Sequence, residues 1–320
     1  MTTPSCNCPL AWHNISKSFH CKYVQAGLAL GAVGYLGMKL KAMRTKAALK
    51  AEQRKFKENV VYLYAFPRCA TVNQFSPACQ KLECFLRLAK IPYVAIPTMD
   101  TSVSPSDRVP CIVYNGQTMT DSQIIIEFLT KEFNIMLDAD LTHEQQRDSF
   151  ALRRIVEMSG WVSNERAFIV DHPEVLRKIL KVDFKTPSIM VGFIAGGIRK
   201  DIIKYLNIHG NGDLPDEFYR EEFLRDIKAV ESYLQKAKGF AVSDKPSTID
   251  AILFGFLESL FLEAAAGVTC EAIQYAVNST TIADYYNRMK TLVFPDFAEI
   301  TKDGSQKGPQ EFFTVGAVSA

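Results

Sequence analysis

Val60-Val61-Tyr62-Leu63-Tyr64-Ala65-Phe66, halted by Pro67, is the string that most narrows what this chain can fold into. An unbroken β-branched and aromatic run of this length predicts a central strand. Its neighbours then follow in a fixed order. A loop from Arg68 to Phe75 leads to a helix opening at Ser76, with Pro77 in the first turn and Leu82, Phe85, Leu86 and Ala89 stepping by three and four. Ile91-Pro92 stops that helix. Tyr93 to Ile96 reads as a second strand, Cys111 to Tyr114 as a third after Pro110, Asn115-Gly116 as a hairpin turn and Gln117 to Met119 as a short fourth strand. A closing helix is predicted over Asp121 to Phe133.

Strand, helix, strand, hairpin and helix is the thioredoxin-like order. From Thr142 to about Ala298 the pattern turns helical, with segments Glu144–Met158, Glu174–Leu180, Ile189–Leu206, Asp216–Lys236, Thr248–Ala265 and Thr281–Leu292. Ile189 to Ile198 is apolar but too short to cross a bilayer, and it reads as buried helix. Ser247-Thr248-Ile249-Asp250 forms a capping box ahead of the apolar run Ala251 to Leu257, a stabilising device with no catalytic content. The expected fold is α/β plus all-α: a thioredoxin-like domain at 58–135, then an all-helical domain at 142–298, preceded by a single membrane helix.

Three short strings would carry chemistry on such a sheet. The first is Ser76-Pro77-Ala78-Cys79, at a helix start where unpaired N–H groups and the helix dipole stabilise a thiolate. Serine occupies the leading place of a Cys-Pro-x-Cys redox motif, so it can donate a hydrogen bond to a bound thiol but cannot form a mixed disulfide. Conjugation is therefore expected over oxidoreduction, although Ser76 serves equally well as an ordinary N-cap. The second is Val109-Pro110, where a cis bond would present backbone groups to a peptide-like ligand. The third is Asp121-Ser122, whose hydroxyl and backbone N–H groups suit a carboxylate, or else simply cap the helix. Together they outline a glutathione site.

The flanks are of another character. Tyr23 to Met38 is a sixteen-residue run without formal charge, bounded by Lys22 and Lys39. At 1.5 Å per residue it reaches about 24 Å, short of the ~30 Å hydrocarbon core unless flanking lysines snorkel, and it reads as a short anchor in preference to a cleaved signal peptide. Residues 39–57 hold eight basic residues against the single Glu52, so the remainder, with 29 basic and 34 acidic residues, carries −5. That asymmetry places the folded part in the cytosol by the positive-inside rule, and argues against a nucleic-acid surface. Residues 1–22 form the opposite tail, 39–57 a basic linker and 299–320 a disordered tail. Short anchors suit thin membranes such as endoplasmic reticulum or endolysosomal membranes, or the mitochondrial outer membrane. Gly27, Gly31, Gly34 and Gly37 line one face, as close packing in a homodimer would need and as a Gly/Ala-rich spanning segment would equally show. Cys6, Cys8, His13, His20 and Cys21 are soft-metal donors without the spacing of a fixed site, so no metal site is assigned. The cysteines from Cys69 onward are scattered without framework spacing. Metalloprotease, P-loop and nucleophile-elbow strings are absent from the sequence.

Val61-Tyr62-Leu63-Tyr64, Phe66-Pro67-Arg68, Ser76-Pro77 with Lys81-Leu82-Glu83, Ile91-Pro92-Tyr93, Asp121-Ser122 with Ile125-Ile126-Glu127-Phe128, and Asp244-Lys245-Pro246-Ser247 with Asp250-Ala251 and Phe254-Gly255 resemble the failed axon connections family. That family belongs to the metaxin-like branch of glutathione S-transferase folds, and with its apolar N-terminal run the chain is especially similar to the nematode cadmium-responsive proteins. The resemblance spans roughly residues 58 to 298. It implies glutathione as co-substrate in the thioredoxin-like lobe, and an open hydrophobic site between the lobes for a small electrophile, or a soft metal held by the bound thiol. By position, Ser76 would assist the thiolate, Val109 would pair with the cysteinyl backbone, and Asp121 and Ser122 would hold the γ-glutamyl end. Arg68 and Arg108 are the basic residues on hand for the glycyl carboxylate. The branch also contains non-enzymatic import and adaptor proteins, so an adaptor reading of the same fold stands beside the stress, xenobiotic or cadmium-detoxification reading.

Overall fold

The computed structural model describes residues 49–210, 212, 214–237, 239–262, 267–302 and 309–312. The expected tail at 1–22, membrane helix at 23–38 and first part of the basic linker lie outside the described residues. Among the described residues no helix is long and apolar enough to cross a membrane. Every element below belongs to one compact unit that begins at Phe56.

Strand β1 (Val61–Ala65) is buried along its whole length, as its continuous apolar run requires. It pairs in parallel with β2 (Tyr93–Pro97) and antiparallel with β3 (Cys111–Tyr114), which in turn pairs with β4 (Gln117–Thr120). Asn115 and Gly116 both take positive φ, 46° and 78°, the mirror-image turn that matches strand twist in a tight hairpin. Helix α1 (Pro77–Leu88) links β1 to β2, and α2 (Ser122–Glu132) closes the lobe. Between β2 and β3 the chain makes only one 3-10 turn, at Thr101–Val103.

The sheet has a fifth member. Residues 299–320 carry no strand signal, yet Gln310–Phe312 form β5, antiparallel on the outer edge of β2, giving the order β4-β3-β1-β2-β5. Backbone pairing and one aromatic contact suffice for a strand this short: the Phe312 ring stacks on Tyr93 with centroids 4.8 Å apart. The expected disordered tail is thus corrected at these residues, and Phe297–Thr301 is a further short helix.

The second lobe begins with α3 (His143–Arg154), introduced by a Thr142/Gln145 capping box. Where the sequence suggests a stop near Met158, the helix continues through a π segment (Ile155–Gly160), the short α4 (Trp161–Glu165) and a second π segment (Arg166–Asp171). Then come α5 (Pro173–Val182), α6 (Ser188–Ile208), α7 (Asp216–Lys236), α8 (Thr248–Leu260), α9 (Glu271–Asn278), α10 (Thr280–Val293) and α11 (Phe297–Thr301). The box before α8 works through Asp250, whose carboxylate accepts from the Ser247 N–H (2.8 Å), the Ala241 N–H (2.7 Å) and the Tyr285 hydroxyl (2.9 Å). The apolar stretch at Ile189–Ile198 is not wholly buried: one face of α6 packs on α5, and Ile189 and Phe193 face solvent.

The lobes join where α1 meets α8. A Cβ on Gly255 would lie 2.7 Å from both the Lys81 nitrogen and the Pro77 carbonyl oxygen, so only glycine permits this approach. Alongside runs a chain of buried charges. The Arg68 guanidinium donates to both Glu83 oxygens (2.7 and 3.0 Å) and to Asn73, and Tyr93 donates to Glu83 at 2.9 Å. Arg87 grips Asp296 at 2.6 and 3.1 Å and lies over the rings of Phe294 and Phe312. Burial alone would push the Glu83 carboxyl up, but the guanidinium of Arg68 beside it holds it down at about 2.

Candidate functional site

Strand register brings the three strings to one end of the sheet. Thr120 of β4 sits opposite Cys111 of β3, and Cys111 opposite Tyr64 of β1. One residue further on in each strand direction, Asp121, Pro110 and Ala65 therefore share that end, with neighbouring strands about 5 Å apart. The Cys79 thiol hydrogen-bonds to the Phe66 backbone and is felt electrostatically by Cys111, which sets the start of α1 at the same end.

Each predicted residue has a defined place. Ser76 is the N-cap of α1 by backbone conformation, but its side chain makes no cap hydrogen bond. Capping therefore does not account for this serine. Its hydroxyl lies within hydrogen-bonding reach of Cys79, whose thiol burial pushes up to about 12, so Cys79 stays a neutral neighbour rather than a nucleophile. The Val109–Pro110 bond is cis. Asp121 has φ 70° and ψ 114°, a region that non-glycine residues rarely occupy and that marks sites held in place by their surroundings. Its Oδ1 caps α2 by accepting from the Gln123 and Ile124 N–H groups at 2.9 and 3.1 Å. Oδ2 has no partner among the described residues, nor does the half-buried Ser122 hydroxyl.

The two arginines separate. Arg68 is buried and spent on Glu83, so it is unavailable to a ligand carboxylate, whereas Arg108 is exposed next to Val109. Lys81 contributes what the sequence did not suggest. Its buried ammonium donates to Gln123 (2.9 Å) and Glu157 (2.5 Å) and interacts electrostatically with Asp121, tying the start of α2 to the helical lobe.

A second wall comes from that lobe. The Trp161 indole donates to the Glu165 carboxylate at 3.2 Å. Burial pushes the Glu165 carboxyl up to about 7, while Trp161 and Arg108 pull it down, and Tyr205 of α6 feels both charges. Arg108 thus faces the helical lobe across the gap. Phe184, in the turn after α5, packs against Phe75 and Phe66 with centroids 5.4 and 6.5 Å away, and Asp183 accepts from the Ala70 N–H at 2.8 Å. These residues roof the Arg68–Phe75 loop. A cavity of about 360 Å³ lies elsewhere, between the start of α3 and the end of α7, where Lys236 is bound by Glu144 and Asp148. Among the described residues no cluster of His, Cys, Asp and Glu could hold a metal.

Comparison with known proteins agrees with this architecture. Residues 77–163 match the family described as glutathione S-transferase N-terminal domain. The chain is 29% identical over 289 residues to Failed axon connections of Drosophila melanogaster, covering 80% of this chain and 67% of that protein. It is 27% identical over 251 residues to isoprene-epoxide–glutathione S-transferase of a Rhodococcus species, covering 72% and 98%. A solved Bombyx mori glutathione transferase superposes with a TM-score of 0.46 at 14% identity, over 76% of this chain and 94% of that one. A thioredoxin-like sheet lobe joined through α1 to a helical lobe defines the glutathione S-transferase fold. Within that fold the chain is similar along most of its length to Failed axon connections.

Proposed function

We propose that this protein is a membrane-tethered, glutathione-binding member of its fold that conjugates glutathione to a small electrophile. The observation that carries the reading is the convergence at one sheet end of Ser76, freed from capping, the cis Val109–Pro110 and the unpartnered Ser122 hydroxyl beside Asp121. In this arrangement Ser122 and the first N–H groups of α2 receive the γ-glutamyl carboxylate, and Asp121 Oδ2 faces its ammonium. Val109 offers backbone groups to the cysteinyl unit. Ser76 donates to the sulfur, which loses its proton to solvent and forms a carbon–sulfur bond as the electrophile's leaving group departs. Arg108, Trp161, Glu165 and Tyr205 border the electrophile. The Rhodococcus relative, by its name, acts on an epoxide, an electrophile of the kind such a site accepts. A soft metal such as cadmium would be taken by the same bound thiolate, the form that a cadmium response would use. The apolar run 23–38 supplies the tether.

Glutathione titration of the full chain by calorimetry tests this. Saturable binding is expected, weakened about tenfold or more in Ser122→Ala, which loses a hydrogen bond to a charged group. Ser76→Ala should retain affinity yet raise the pH at which bound glutathione shows thiolate absorbance. Absence of saturable binding to the wild type refutes the reading. It would leave the adaptor function, which the packing of Phe184 over Phe66 and Phe75 favours, since no conjugation step calls for that roof.

A further inference from the structure

We infer that the hairpin of α5 and α6 is a lipid-docking element, whose tip enters the interfacial region of an anionic membrane. The hairpin has its own small core, in which Leu176 and Leu180 of α5 meet Val191 and Ala195 of α6. With that face occupied, the opposite face of α6 opens with Ile189, 92% exposed, and Phe193, 86% exposed, and continues with Lys200 and Lys204. At 100° per residue these four fall within an arc of roughly 60°. Val182 and Met190, 54% and 48% exposed, widen the apolar tip. A cluster of large apolar side chains left in water marks a contact surface.

Charge selects the occupant. Residues 173–208 hold seven basic and three acidic residues, and one of the acids, Asp183, is buried. Lys181, Lys185, Lys200 and Lys204 are exposed and have no carboxylate partner among the described residues. Phe193 and Ile189 stand about 10 and 16 Å along α6 from Lys200, so apolar groups at the tip and cations behind it match acyl boundary and headgroups in depth. The same chemistry recurs in the sequence, where the uncharged run 23–38 precedes eight basic residues in 39–57. An anionic bilayer satisfies both surfaces. The inference does not depend on glutathione binding.

The test uses the full chain bound to vesicles of phosphatidylcholine and phosphatidylserine with brominated acyl chains, reading tryptophan quenching after subtraction of the wild-type signal. Phe193→Trp reports the tip and Phe150→Trp, on α3, is an exposed control. Quenching at position 193 is expected to exceed that at 150 by at least about twofold, and to fall when phosphatidylserine is omitted. Ile189→Trp supplies a second reporter should Phe193→Trp fold poorly. Equal quenching at tip and control in vesicles that carry the protein overturns the inference while leaving the tether intact. A concentration-dependent dimer in solution that Phe193→Ser abolishes overturns it too, since a second copy would then be the occupant.

Discussion

Glu258 offers a stringent test of how the two lobes meet. It is fully buried on α8, its Oε1 accepts from the Asn73 N–H at 2.6 Å and its Oε2 has no hydrogen-bond partner among the described residues. Burial pushes its carboxyl from 4.5 up to about 8, against the pull of that single bond and with Glu83 adding to the rise. Between these two values the unfolded chain has released the proton and the folded protein still holds it. The folded state binds more protons there, so stability falls with rising pH, by about 1.4 kcal/mol per unit. From pH 5 to pH 8 the loss is about 3 to 4 kcal/mol. Glu258→Gln keeps an acceptor for Asn73 and cannot ionise, so the two proteins should be nearly equal at pH 5 and diverge above it. In thermal unfolding the variant should gain roughly 6–8 °C on the wild type by pH 8, at about 2 °C per kcal/mol for a unit of this size. Taking the difference cancels other buried acids pushed upward, such as Asp250 at about 6. A gap that stays constant from pH 5 to pH 8 would show that Glu258 is not sealed from water at the lobe junction.

Three further outcomes are expected. Glu83→Gln strips the countercharge from buried Arg68 and should cost about 3–5 kcal/mol in denaturant unfolding at pH 7; because the Glu83 carboxyl is depressed to about 2, its contribution is present above pH 4.5 and should fade as pH drops toward 2. Gly255→Ala forces a methyl against the Pro77 carbonyl and the Lys81 nitrogen, so about 1–3 kcal/mol should be lost and glutathione affinity should fall with it, as the Ser76 end of α1 is displaced; retained affinity would separate the site from the joint. Phe312→Ala removes the stack on Tyr93 and the ring beneath Arg87, and should speed amide exchange in β2 selectively over β3.

The thioredoxin-like lobe was legible because its signals are local: a β-branched run before Pro67, proline at the first turn of α1, Asn115-Gly116 in the hairpin. The strand β5 was not, since three residues hold their conformation only by pairing with β2, more than two hundred positions earlier. The same separation hid the fate of Arg68, whose partners range from Asn73 to Gln310. The second half of the long helix was unread because Ser159-Gly160 looks like a stop, whereas Gly160 closes a π segment where a Cβ would come within 3.1 Å of the Phe256 ring. For α6 the apolar composition was seen but not its distribution, because glycines at 192, 196 and 197 obscure which face is covered. Among the site residues, Ser76, Val109, Pro110, Asp121 and Ser122 were all visible as strings. Trp161, Glu165 and Tyr205 were not, and Lys81 stood in a string without a role, because each matters only for what lies across the gap.

Nine of the twelve residues of α1 are buried, Cys79 through Arg87 without a break, and much of what covers them is α8. A helix enclosed on every side cannot belong to a module that is cut out, exchanged or expressed alone. Severing the connection near residues 134–142 would leave the sheet half with an uncovered Lys81 and a bare apolar flank, prone to self-association. The α5–α6 hairpin, with a small core of its own, stands apart from that seam and can be altered without disturbing it.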